Sequence, residues 1–454
     1  MPQSLPPPDV RAEILAIARL AGPIAAAHAG LVTMNLVVIA MVGRVSVDDL
    51  AATSMGRAIA YAASSLAMGV ALALDPLASQ AVGAGDPGRA WAALGTTLRA
   101  GALAALVSLA AAFATTLVLV PIGVHPALVP IVQRYLLGNA PGLLLFPVFL
   151  VGKSFLQAHG DTRPALLAVI AANAVNLVAC VLLVLGDGAL AWAHLPPLGL
   201  PQLGALGAGV ASSVGAVALV GIVLAAAAQR RPPPASPKSP ALPLGAVLRL
   251  GLPVGLQMLA EIGIFTIIGL AAGRLGSHAV SAHQVALGLA SFTFMGALGV
   301  GGATAVRVGQ SIGAGASPRR AGVIGLLLGA AVMTCSAAIF AVARRPLLSL
   351  FTPDPIVIES GASLLGIAAI FQLFDGVQAV AAGALRGAGD VRFPFLANVG
   401  AHWLLGCPLA VGLGFGLGLG MRGLWMGLTA GLIAISILLT ARFLRISRGK
   451  VARV

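Results

Sequence analysis

Two stretches of this chain carry the same punctuation in the same order. Pro23, Gly43-Arg44, Ala52, Gln80 and Gly83-Ala84-Gly85 recur as Pro253, Gly273-Arg274, Ala282, Gln310 and Gly313-Ala314-Gly315, each displaced by 230 positions. Further along the copies slip by one residue: Gly160-Asp161-x-Arg163 returns as Gly389-Asp390-x-Arg392, an offset of 229, with Pro164 or Pro394 close behind. A repeat this long is a whole lobe. An apolar chain duplicated in this way builds two lobes around a central path.

What fills the repeat decides the class. Hydrophobic residues make up 59% of the chain and charged residues 9%, more apolar surface than a water-soluble globule can cover, so the chain reads as an integral membrane protein. Runs able to cross about 30 Å of hydrocarbon, at roughly 20 residues each, begin near Ile14, Leu50, Trp91, Leu128, Arg163 and Leu203. Six more begin near Ala246, Val280, Ala321, Ile356, Arg392 and Arg422. Between the two sets, Gln229–Pro243 reads QRRPPPASPKSPALP, which neither continues a helix nor buries a core. The expected fold is therefore all-α, with twelve transmembrane helices in two pseudo-symmetric six-helix lobes. These are residues 1–228 and 244–454, joined by a basic, proline-rich linker over 229–243 and ending in a short basic tail.

The formal charge of +14 acts as a topology signal. Basic residues gather at Arg11 and Arg19, Arg89, Arg163, Arg230-Arg231-Lys238, Arg319-Arg320, Arg386 and Arg392, and from Arg442 to Arg453. These are alternate connections plus both termini, which the positive-inside bias places in the cytoplasm. The other side carries Arg44 beside Asp48-Asp49, then Arg274, Arg422 and one exception to the bias, Arg344-Arg345 near Asp354 and Glu359. Residues 1–13 hold prolines and two acids with no small-residue cleavage site, and read as the lead into an uncleaved first span. Bacterial inner membrane is the expected location.

Several function classes fall away. Cys180, Cys335 and Cys407 are far apart, each within an apolar run, so neither metal-ligand spacing nor a disulfide framework is present. Gly152-Lys153-Ser154 resembles the end of a phosphate-binding loop, but Pro147 stands where that loop needs its first glycine. No nucleophile, base and orienting acid recur at workable spacing, which excludes an enzyme. Placed as a topology signal, the basic residues do not point to a nucleic-acid partner.

Charges deep within apolar runs are costly and mark function. Glu261 lies mid-span with Gln257 one turn before it, and Asp375 lies between Gln372 and Gln378. Each acid shares a helical face with an amide. Neither has a basic residue within one turn, and neither has a counterpart in the first half, which argues against a purely architectural role. Carboxyls in a low-dielectric site exchange protons or, with oxygen ligands converging, hold sodium; either would power transport. Asn35, Asn173, Asn176, Gln284, His283 and His402 are polar groups in or near spans, read first as interhelical glue. Asp75 and Arg307 lie nearer helix ends, where a headgroup or helix-end role is expected. With aromatics at 5% and Tyr at 2, a cage for aromatic cations would rest on Phe265, Phe292, Phe294 or Phe371.

The stretches AGPIAAAHAGLVTMNLVVIAMVGRVS, PLASQAVGAGD, PVGLQMLAEIGIF, SAHQVALGLASFTFM, AVRVGQSIGAG and FQLFDGVQAVAAGALRGAGD, in that order, resemble the multidrug and toxic compound extrusion (MATE) transporters, in particular their NorM-like branch. The resemblance implies an antiporter exporting cationic or amphipathic organic compounds in exchange for protons or sodium. It implies that the acids of LAEIGIF and FQLFDGVQ, here Glu261 and Asp375, form the cation-coupling site of the second lobe, with Na+ a possible occupant. The first-helix aspartate common in that family falls at Val38, which leaves a first-lobe coupling site in doubt. Phe371 stands where relatives often carry tyrosine, and Asp75 is a conceivable stand-in for the missing acid. Gln257, Phe265, Gln284, Phe371, Gln372, Gln378, Asn35, Asn173 and Asn176 are the substrate or cavity candidates. The expected partners are small organic cations or drugs and the lipid bilayer, with no cofactor beyond the coupling ion, and the expected state is a monomer. The rival reading is a related two-lobed flippase for a lipid-linked precursor. That activity would want arginines lining the mid-membrane path, and only Arg57 and Arg307 are available.

Overall fold

The computed structural model describes residues 9–188, 196, 199–232 and 242–454. Most of the expected linker, 233–241, lies outside the described residues. Among the described residues, twelve helices are long and apolar enough to cross a membrane. In chain order they are α1 (Val10–Val42), α2 (Val47–Gly83), α3 (Pro87–Thr116), α4 (Leu128–Ala158), α5 (Arg163–Leu185), α6 (Gly204–Ala228), α7 (Leu244–Gly273), α8 (Ser277–Gly313), α9 (Arg319–Val342), α10 (Pro355–Gly387), α11 (Arg392–Gly416) and α12 (Gly420–Ile446). The predicted starts fall within a few residues of these, because hydropathy and helix punctuation are local. The chain is a multi-pass, all-α membrane protein.

Helix ends follow from their residues. Ser46 caps α2 by accepting the Asp49 amide at 2.9 Å, and Asp354 caps α10 with Pro355 in its first turn. The repeat extends to backbone angles. Gly85 and Gly315 sit at φ 71° and 73°, and Gly160 and Gly389 at 77° and 80°, left-handed values that close α2, α8, α4 and α10. Helix neighbours repeat as well. The packed pairs α2–α3, α2–α4, α3–α4, α4–α6 and α5–α6 return as α8–α9, α8–α10, α9–α10, α10–α12 and α11–α12.

The compact units do not follow the boundary drawn from the repeat. One unit comprises Met1–Ala26, Asp75–Asp86 and Leu256–Val454; the other comprises Ala27–Leu74 and Pro87–Gly255. Thus α1, α2 and α7 each divide between units, at points within three residues of Pro23, Pro76 and Pro253 respectively. A proline removes one backbone donor and softens a helix there; ahead of Pro76 the helix is interrupted at Ala73.

Close packing explains the exchange. In the first unit Gly299 of α8 lies against Ala21 and Ala25 of α1; in the second, the equivalent Gly69 of α2 lies against Gly251 and Gly255 of α7. A Cβ at either glycine would collide with the facing backbone. The first unit also holds a reciprocal pair, in which Gly83 abuts Gln310 and Gly313 abuts Gln80. These four positions interchange under the 230-residue offset, as expected around a pseudo-two-fold axis.

Apolar side chains also cover the outside. Leu103, Leu106 and Val107 form an exposed stripe on α3 at helical spacing, as a lipid-facing surface requires.

Candidate functional site

In the first unit, Glu261 on α7 is the centre of an amide cluster. Its Oε1 accepts hydrogen bonds from Asn398 Nδ2 at 2.7 Å, Gln378 Nε2 at 3.0 Å and Gln257 Nε2 at 3.2 Å. Gln257 comes from one turn earlier on α7, Gln378 from α10 and Asn398 from α11, so one carboxylate oxygen gathers three helices. Trp403 of α11 adds a backbone tie, donating its indole N–H to the Ala260 carbonyl at 3.2 Å.

Asp375 on α10 stands near enough to interact electrostatically with Glu261. Among the described residues it makes no hydrogen bond or ion pair, and Glu261 Oε2 accepts none. Asn398 Oδ1 and Gln372 Oε1 are buried and unpartnered. The three amide donors that reach Glu261 are therefore spent on one oxygen, while Glu261 Oε2, the Asp375 carboxylate and Asn398 Oδ1 retain free lone pairs. Such a set offers oxygen acceptors and no competing cation of its own, the chemistry a proton or a small hard cation needs. Among the described residues, no group of three or more His, Cys, Asp and Glu side chains converges as a metal site.

An aromatic wall runs beside these acids. Phe371, one turn before Asp375, meets Phe265 edge-on at 6.4 Å between centroids and Trp425 at 5.4 Å. Trp425 donates its indole N–H to His283 Nδ1 at 3.2 Å. Phe371 is 2% exposed, so its ring is held inside the packing. Gln372 is likewise buried, and donates to the Ala290 carbonyl at 3.0 Å.

The remaining candidates scatter. Gln284 is exposed on α8 and Phe292 is 65% exposed. Asn35, Asn173 and Asn176 belong to the second unit. There Asn173 donates to the carbonyls of Gly30 at 2.9 Å and Val169 at 2.8 Å, tying α5 to α1. Asn176 is fully buried, and Asn35 is exposed. Val38 is 1% exposed in a core with Val42, Tyr135, Leu136 and Cys180, so the first-helix acid position is filled by hydrocarbon packing.

Two expectations are corrected. Arg307 and Asp75 do not act at headgroups: each is locked in an ion pair inside the first unit. Arg307 meets Glu13 of α1 through two bonds, at 2.8 and 2.7 Å, and Glu13 is 2% exposed. Arg386 of α10 meets Asp75 at 3.0 Å. Sequence reasoning passed over Asn398, although the criterion that flagged Asn173 and Asn176, an amide inside an apolar run, applies to it equally. Asn398 also directly precedes a stretch of wide, π-type turns at Val399–Gly406, a distortion frequent at functional positions.

The MatE family profile matches residues 23–182 and 253–411. The chain belongs to the MatE family. Its two matched segments open at Pro23 and Pro253, the prolines that open the repeat, and preserve the same offset. Membership makes the protein a transporter and not an enzyme.

Among relatives, the chain is 38% identical to a probable multidrug resistance protein NorM of Deinococcus radiodurans, with 97% of this chain and 98% of that protein covered. It is 32% identical to the multidrug resistance protein PmpM of Pseudomonas aeruginosa, over 97% and 93% of the two chains. Among solved structures, the eukaryotic MATE transporter AtDTX14 superposes with a TM-score of 0.84 at 22% identity, covering 97% of this chain and 98% of that one. A MATE crystallised in a straight conformation gives 0.84 at 18% identity, covering 96% and 97%. The structures establish the fold; the relatives place the chain in the NorM-like branch.

Proposed function

We propose that this member of the MatE family is a cation-coupled antiporter of the bacterial inner membrane, with both termini cytoplasmic, exporting cationic or amphipathic organic compounds by alternating access. The observation that carries the reading is the Glu261–Asp375 pair, two acids deep within spans, contacted by Asn398 with its unpaired oxygen and given no protein cation. Two carboxylates held in a low-dielectric setting repel each other, and binding a proton or a sodium ion relieves that repulsion. Occupancy would alter how α7, α10 and α11 pack, because all three meet at Glu261 Oε1. If the altered packing lowers affinity for a cationic cargo, linkage makes the effect reciprocal, which is exchange. The names of the relatives, multidrug resistance proteins, support drugs as the cargo class.

Of the two arginines a lipid-precursor flippase could use, Arg307 is already neutralised by Glu13. The test is transport by the purified protein in sealed vesicles, with proton and sodium gradients imposed separately. Efflux should follow one gradient. Glu261→Gln and Asp375→Asn should each abolish ion-driven efflux while the protein still inserts, and retained efflux in either variant would sink the assignment.

A further inference from the structure

In the second half of the chain, Arg274, Arg344, Arg345 and Arg422 stand on the side that the charge bias leaves poor in basic residues. Arg345 is paired with Glu359 at 2.8 Å, and Arg344 donates to the Ala341 carbonyl at 3.1 Å. Arg422 is different. Its Nε donates to Ser363 Oγ at 3.1 Å, and among the described residues no carboxylate pairs with it. Ser363 in turn donates to the Ser360 carbonyl at 2.7 Å, so its hydroxyl is committed on both sides and holds the guanidinium in one orientation.

Arg422 borders a cavity of about 550 Å³, within the roughly 300–1,000 Å³ range of small-molecule sites. The cavity lies wholly inside the first unit, where the starts of α8 and α10 meet the α11–α12 turn. Its polar wall consists of Arg422, His278, Ser360 and Ser363; its apolar wall includes Leu364 and Met421. No acid lines it among the described residues. Asp354 stands 3.5 Å from His278 Nε2. The Ser360 hydroxyl makes no hydrogen bond among the described residues.

We propose that this cavity binds a phosphate-type anion, carried on a lipid headgroup or free in solution. With Nε occupied by Ser363, the two terminal nitrogens of Arg422 present the fork that grips phosphate oxygens in pairs. Ser360 supplies a further O–H donor and His278 a ring N–H. A cavity of this size holds far more than an inorganic phosphate, and its mixed lining suits a headgroup with the start of its apolar chain. The site is independent of the Glu261–Asp375 pair and does not depend on the antiport reading.

The experiment uses the full chain purified in detergent, in two arms. Native mass spectrometry compares retention of phosphatidylglycerol with that of phosphatidylcholine, and thermal melting is followed while inorganic phosphate is titrated. Wild type should retain phosphatidylglycerol preferentially, melt higher with phosphate, or both; the responding arm identifies the source. Arg422→Gln should weaken the response by about ten-fold or more, the loss expected for a charged hydrogen-bonding group. Arg320→Gln, which removes an equal charge at the start of α9, beyond the end of α8 opposite the cavity, should leave the response unchanged. Should Arg422→Gln fail to fold, Arg422→Lys and Ser360→Ala replace it, each expected to weaken the response. Cavity variants that match wild type in both arms, or an equal loss in Arg320→Gln, overturn the proposal.

Discussion

The cores of the two compact units pair with the same chain repeat but differ in what they bury. The second unit ties some of its polar groups to backbone: Asn173 bonds two carbonyls, and Ser213 donates to the Gly138 carbonyl at 2.7 Å while accepting the Gly142 amide at 3.0 Å. Other buried polar atoms there, those of Thr53, Thr97, Ser108, Ser154 and Asn176 Nδ2, are uncharged and unpartnered among the described residues. The first unit buries acids. It holds Glu261 with its three amide donors, Asp375 with none, and the Glu13–Arg307 and Asp75–Arg386 pairs. The same helix adjacencies carry both, so the packing of small residues sets the fold and leaves the charged positions free to diverge. The repeat is kept in helix adjacency and broken at a handful of charged side chains.

That contrast can be broken most sharply at the acids themselves. Loss of either Glu261 or Asp375 as a carboxyl should remove ion-driven efflux entirely, whereas Val38→Asp should not transfer coupling to the second unit. The Val38 variant should instead lose stability by about 3 kcal/mol or more, because its carboxyl would be buried among Val42, Tyr135 and Leu136 without a partner. Melting in detergent reads this directly.

Breaking one ion pair comes next. Arg307→Met leaves Glu13 buried and unpaired, and should lower stability by about 3–5 kcal/mol, with the Glu13→Met/Arg307→Met double variant recovering most of it. A double variant no more stable than the single one would show that Glu13 is not held by this pair.

Asn398→Ala should cost about 1–3 kcal/mol by removing the shortest of the donors to Glu261. It should also change the ion concentration needed for half-maximal efflux, a shift that a merely structural role would not produce. At the small end, Asn173→Ala in the second unit should cost about 0.6 kcal/mol, the typical worth of an interhelical hydrogen bond in a membrane, and leave ion dependence untouched. An altered ion dependence in Asn173→Ala would mean that the second unit takes part in coupling.

Much of this protein was legible from residues alone because the governing physics is local. Span starts follow hydropathy over some twenty neighbours; helix ends follow Ser46, Asp354 and the left-handed glycines; and the repeat aligns by simple offset. The acids were legible because a charge in an apolar run has few innocent explanations. Partnerships were not. Asp75 and Arg386 lie 311 positions apart, and Glu13 and Arg307 lie 294 apart. At those separations nothing in a neighbouring turn says which helices will approach, so each charge read as an isolated helix-end group. Asn398 was missed for the same reason: an amide is cheap enough to bury that its presence raises no alarm until its oxygen and nitrogen are placed.

The sequence by itself determined the class, the number of spans, the duplication, the family resemblance and the identity of the two acids. Tertiary structure alone decided that α1, α2 and α7 are shared between units, that Asp75 and Arg307 are spoken for, and that three amides converge on a single oxygen of Glu261. The division has one physical cause. Helix formation and membrane insertion are set by short windows of chain, whereas burial, pairing and lone-pair accounting depend on which helices meet.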